Sequence, residues 1–80
     1  MKCRIKAFGV AREIIGQRET VIDLTDGQTI EDLKVLIFSQ YPRFRELKSL
    51  FIAVNQEYAE DNILLKENDE IALIPPVAGG

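Results

Sequence analysis

Residues 29–42 read "TIEDLKVLIFSQYP", and this stretch decides the fold class. Ile30, Leu33, Ile37 and Tyr41 recur at helical spacing, Leu36 widens the stripe and Phe38 sits at its margin, while Glu31, Lys34 and Gln40 face away. Thr29 precedes the run with Asp32 three positions on, a capping box in which Asp stands in for the preferred Glu. Pro42 stops the helix, because proline disfavours the α region for the residue before it. The spacing therefore predicts one long helix, and the sequence on either side of it has a different period.

Upstream, Cys3, Ile5 and Ala7 alternate with Lys2, Arg4, Lys6 and Phe8, the pattern of a half-buried strand. Gly9 breaks it, and "VAREIIG" at 10–16 holds one or two helical turns before Gly16 ends them. "ETVIDL" at 19–24 is extended and β-branched, so the two strands form a wide hairpin, followed by a turn at Asp26-Gly27. Downstream of the helix, "RFRELKSL" at 43–50 is short and amphipathic, a helical turn or a packed loop. Phe51 to Val54 reads as the third strand, and Asn55-Gln56 permits a tight reversal into a short strand around Tyr58. A polar connection at 59–70 is expected to be pinned by Ile63, Leu64 and Leu65, and Glu70 to Ile74 forms the last strand. The order ββαβββ belongs to the α+β class. A single helix covers one face of the sheet. Cys3, Ile5, Ala7, Ile71 and Leu73 then face it, leaving Phe8, Ala72 and Ile74, joined by Tyr58 if the hairpin lies near them, as an apolar patch that suits a partner.

Composition narrows the chemistry. Eighty residues, 46% of them hydrophobic, with 3 prolines and 5 glycines, fit one domain without room for a second. The net charge of −3 argues against an electrostatic grip on nucleic acid or an anionic membrane. Histidine and tryptophan are absent and Cys3 is the only cysteine, which removes histidine-based triads, zinc sites and any disulfide within the chain. Cys3 reads as a packed, inert thiol. No apolar run reaches the roughly 20 residues of a membrane span, and no signal-peptide core follows the first residues, so a cytoplasmic, reducing location is expected. Charge is uneven along the chain: residues 1–18 hold five Lys or Arg and one Glu, while 57–70 hold six acids and one Lys. The acidic segment can steer docking onto a basic surface.

The end of the chain differs in kind. Pro75 and Pro76 cannot donate ladder hydrogen bonds, so the domain is expected to span 1–76 and residues 77–80 to form a flexible diglycine tail. Extended, Val77 to Gly80 reach at most about 14 Å, and the shrinking side chains of Val77, Ala78 and Gly79 suit insertion into a narrow channel. A free carboxylate on Gly80 becomes an electrophile once a partner adenylates it, and this requires no catalytic side chain on the carrier itself.

"IKAFGVAREIIG" at 5–16, "AVNQEY" at 53–58 and above all "NDEIALIPPVAGG" at 68–80 resemble the small, sulfur-carrying subunit of molybdopterin synthase, over essentially the whole chain. The resemblance implies the ubiquitin-like β-grasp, a mixed sheet with one main helix packed on one face. It also implies that an E1-like enzyme using MgATP adenylates Gly80, that a sulfur donor protein converts it to a thiocarboxylate, and that no cofactor or metal is bound by the chain itself. The charged carrier then docks on the large synthase subunit, in a heterotetramer, and gives its sulfur to cyclic pyranopterin monophosphate. The catalytic residues of that step belong to the large subunit. By position, Phe8, Tyr58 and Ile74, with Pro75 and Pro76, match partner-binding residues, whereas Arg12 and Glu13 read as local helix capping. The family usually carries glycine where Asn68 stands, and asparagine also accepts the left-handed region. Three other readings remain open: a carrier for thiamine or tRNA thiolation, a modifier conjugated to lysines through Gly80, and a binding module with an inert tail.

Overall fold

The computed structural model describes residues 1–76. Strand β1 (Lys2–Ala7) leads through a short helix α1 (Val10–Ile15) to β2 (Glu19–Asp23), which pairs antiparallel with β1. The long helix α2 (Ile30–Gln40) follows, then a 3₁₀ helix at Pro42–Glu46, β3 (Phe51–Val54), β4 (Glu57–Tyr58) and β5 (Glu70–Ile74). The five strands form one sheet in the order β2-β1-β5-β3-β4. β5 lies parallel to β1 and antiparallel to β3, so the sheet is mixed. A parallel pair cannot be closed by a hairpin, and here everything between β1 and β5, α2 included, serves as the crossover.

Alternation places the core. Cys3, Ile5, Ala7, Ile71 and Leu73 are buried on one sheet face and cluster with Ile30, Leu33 and Ile37 of α2. Each of these three helix residues is fully buried, worth about 1.5–3 kcal/mol per side chain. Phe44 is 1% exposed and is among the largest side chains of the core. The 43–50 segment thus resolves into a 3₁₀ turn that inserts Phe44, with the Tyr41 ring edge-on to it at 6.2 Å.

The start of α2 is fully satisfied. Thr29 and Asp32 form the expected capping box. The Ile30 and Glu31 amides donate to the carbonyls of Ile63 and Asp61, each at 3.0 Å. These bonds correct the reading of the 59–70 connection. Of its three apolar residues only Leu65 is buried, while Ile63 and Leu64 are 44% and 58% exposed. The segment is held chiefly by its backbone, including the Leu65 amide on the Gln28 carbonyl at 2.9 Å.

Turns bring the strands into register. Gly16 closes α1 at φ 88°, and Asn68 takes φ 70° ahead of β5, as its side chain permits. Asn55 and Gln56 both have positive φ, at 51° and 72°, so β3 and β4 are joined by a primed reversal. Asn55 does more than turn. Its Nδ2 donates to Asp69 Oδ1 at 2.9 Å and its Oδ1 accepts from the Glu70 amide at 3.0 Å, tying the hairpin to the start of β5.

Candidate functional site

The open sheet face is built by the residues of opposite parity. Pairing sets Ala72 between Lys6 and Ala53, and Ile74 beside Phe51. Ala53 in turn faces Tyr58 of β4. Lys6, Phe8, Ala53, Gln56, Tyr58, Glu70, Ala72 and Ile74 line a shallow groove of about 390 Å³. The small Ala53 and Ala72 form its floor and the aromatic rings stand at its sides. Phe8 is 50% exposed and Tyr58 73%, far above what packing alone requires of an aromatic ring.

The structure therefore brings Phe8, Tyr58, Ala72 and Ile74 onto one surface. It adds Phe51, which is 53% exposed and meets the Tyr58 ring edge-on at 6.1 Å. Phe51 carries a signal that sequence reasoning missed: it shares parity with Ala53 and opposes the buried Ile52. Polar groups rim the patch. Glu70 lies between Lys6, at 3.2 Å, and Arg4, at 3.9 Å, partly exposed pairs that contribute little to stability. Beyond Phe8 a depression of about 500 Å³ is lined by Lys6, Arg12, Arg18 and Glu19.

Where the chain leaves the body, Ile74 is partly buried, Pro75 is buried and Pro76 is exposed. Pro75 packs beside Gly9: a Cβ on that glycine would lie 3.4 Å from the proline Cγ. Val77, Ala78, Gly79 and Gly80, the expected tail, lie outside the described residues. Among the described residues, no group of three or more Cys, Asp or Glu side chains is placed to hold a metal ion, and no helix is long and apolar enough to cross a membrane. Cys3 is fully buried, and burial, followed by the nearby Asp69 carboxylate, raises its thiol pKa above the ordinary value.

A five-stranded mixed sheet carrying one main helix on one face, with an exposed aromatic patch at the end where β5 runs out, defines a ubiquitin-like β-grasp protein. Residues 5–80 match the ThiS family, and the chain belongs to it. It is 37% identical to the molybdopterin synthase sulfur carrier subunit of Chlamydomonas reinhardtii over 83 residues, covering 100% of both chains. Among solved structures it is similar to SAMP1 of Haloferax volcanii, a small archaeal modifier protein, with TM-score 0.85, 25% identity and 100% of both chains covered. It is also similar to a chain in the complex of subunits 1 and 2 of the molybdopterin-converting factor from Helicobacter pylori, with TM-score 0.70, 27% identity and 100% of both chains covered.

Proposed function

We propose that this protein is a sulfur carrier for molybdenum cofactor biosynthesis whose reactive group is the carboxylate of Gly80. The observation that carries the reading is the end-to-end similarity to a sulfur carrier subunit in a chain that ends in Gly79-Gly80. A carboxylate oxygen of Gly80 attacks the α-phosphorus of MgATP in the active site of an E1-like enzyme, and pyrophosphate leaves. Sulfide-level sulfur (HS⁻) supplied by a donor protein attacks the acyl carbon and AMP leaves, which gives a thiocarboxylate with no change of oxidation state. The charged carrier docks on the large subunit of molybdopterin synthase through Phe8, Phe51, Tyr58 and Ile74, with Pro76 at the margin. Val77 to Gly80 enter the partner's site, the terminal sulfur attacks cyclic pyranopterin monophosphate, and water then cleaves the acyl–sulfur bond and returns the Gly80 carboxylate. The Helicobacter complex of subunits 1 and 2 supports a partner of this kind.

The test is to incubate the full chain with the activating enzyme, MgATP and a sulfur source and to weigh it. Replacement of one oxygen by sulfur at the C-terminus is expected, and an unchanged mass rejects the carrier reading. Adding large subunit and pyranopterin monophosphate, then assaying the fluorescent oxidation product of molybdopterin, decides the acceptor against thiamine or tRNA thiolation. Similarity to SAMP1 favours a second reading, a modifier joined to target lysines through Gly80. It predicts high-mass adducts in cells that vanish when Gly80 is deleted.

A further inference from the structure

Phe8 to Ala11 form a tight turn in which the Ala11 amide donates to the Phe8 carbonyl at 3.0 Å. Gly9 in this turn has φ 55° and ψ −132°, the first central position of a type II′ turn, where glycine has no steric cost. The turn faces two ways. On one side it sets Phe8 into the exposed patch, with the Phe8 amide on the Leu73 carbonyl at 3.3 Å. On the other side Gly9 lies beside the ring of Pro75, the last buried residue before the exposed Pro76; an added Cβ would meet the proline Cγ at 3.4 Å, an ordinary contact, so it is the positive φ and not the space that requires glycine here.

We propose that Gly9 and Pro75 form a seat fixing where the C-terminal chain leaves the body relative to the Phe8 and Tyr58 face, which makes both positioning residues for the Gly80 carboxylate. The inference rests on the sulfur-carrier reading and adds to it the device that aims the terminus. A partner holding the carrier by its open face receives Gly80 only as accurately as this exit is held. Fixing the point and direction of exit narrows the range of positions open to the residues beyond Pro76, which raises the fraction of encounters in which the terminal carboxylate reaches a partner's reacting group.

Pro75→Gly and Pro76→Gly, made in the full chain, are matched variants. Each frees one fixed φ, and only the first removes a ring from Gly9. Hydrogen exchange at the Phe8 amide is expected to quicken about tenfold in Pro75→Gly and to stay near wild type in Pro76→Gly. With the activating enzyme, MgATP and a sulfur source, Pro75→Gly should lower kcat for thiocarboxylation about tenfold at a KM within about twofold, while Pro76→Gly, at the margin of the docking face, should raise KM and leave kcat near wild type. Gly9→Ala should repeat the kcat loss. Gly16→Ala, at another positive φ with nothing within 4 Å of the added Cβ, should lower stability alone. Unchanged exchange in Pro75→Gly overturns the seat. Equal kcat losses in the two proline variants, or a Pro75→Gly loss confined to KM, overturn the positioning role. A wild-type chain that gains no sulfur rejects the functional reading instead, and the exchange comparison still decides whether the seat exists.

Discussion

Replacing Phe8 by alanine separates packing from docking, because the fold divides its ring almost evenly between the two. The side chain is 50% exposed. An aromatic side chain carries roughly 200 Å² of surface, so about 100 Å² is free to be covered by a partner and about 100 Å² is already covered by the fold. At about 25 cal/mol per Å², complete coverage on docking is worth about 2.5 kcal/mol, a factor of about 70 in Kd. The half already buried is worth a similar amount, less what the alanine methyl retains, so about 2 kcal/mol of folding stability is lost. A domain of 80 residues has about 4–12 kcal/mol to lose, and Phe8→Ala should remain folded at 25 °C with its Tm lowered by about 8–16 °C. The assay is titration calorimetry of wild type and variant against the large synthase subunit at 25 °C, beside thermal melts of each protein alone. The expected result is a Kd weakened by tens of fold together with the modest melt shift. A lowered Tm with Kd unchanged within about threefold refutes the reasoning, because Phe8 would then serve packing only and the open face would not be the docking surface.

Three further outcomes follow from the fold. Phe44→Ala empties a site that is 1% exposed and should cost about 3–5 kcal/mol, read as a large fall in urea midpoint, in contrast to truncation of the exposed Val35. Gln56→Gly relieves an L-residue held at φ 72° and should raise stability by up to about 1 kcal/mol, read as a higher urea midpoint, provided Asn55 keeps its bonds to Asp69 and Glu70. Cys3 should resist thiol reagents until the protein unfolds. Its raised pKa means that the folded state holds the proton more tightly than the unfolded chain. The resulting stability is therefore complete below the unfolded thiol value of about 8.5 and is lost as pH rises above it. Denaturation at a series of pH values should show this alkaline decline in wild type and a shallower one in Cys3→Ala.

Wherever a physical signal was local, the chain announced its structure. The period of 3.6 between Ile30 and Tyr41, the Thr29 and Asp32 cap, and the strict alternation of Cys3, Ile5 and Ala7 each depend on neighbours within a few residues, and each is realised. The same parity carried Phe8, Ala72 and Ile74 to the open face. Phe51 obeyed the rule equally well and was overlooked, because β3 contains only four residues and both Ile52 and Ala53 are buried. The misreading of Ile63 and Leu64 has a different cause. Apolar residues in a loop suggest burial, but here the backbone bonds to α2 hold the segment and leave those side chains outside.

By itself the sequence determined the α+β class, the inward and outward parity of the strands, the lack of histidine and the Gly79-Gly80 pair. Those are properties of composition and short-range periodicity, which hold whichever strands become neighbours. Only the tertiary structure decided that β5 lies parallel beside β1, that Phe44 fills the core, that Tyr58 and Phe51 meet, and that Pro75 rests on Gly9. Each joins residues far apart in the chain or depends on a register that no local pattern encodes. Closing those contacts is what turns an exposed aromatic patch and the place where the chain leaves the body into parts of one surface.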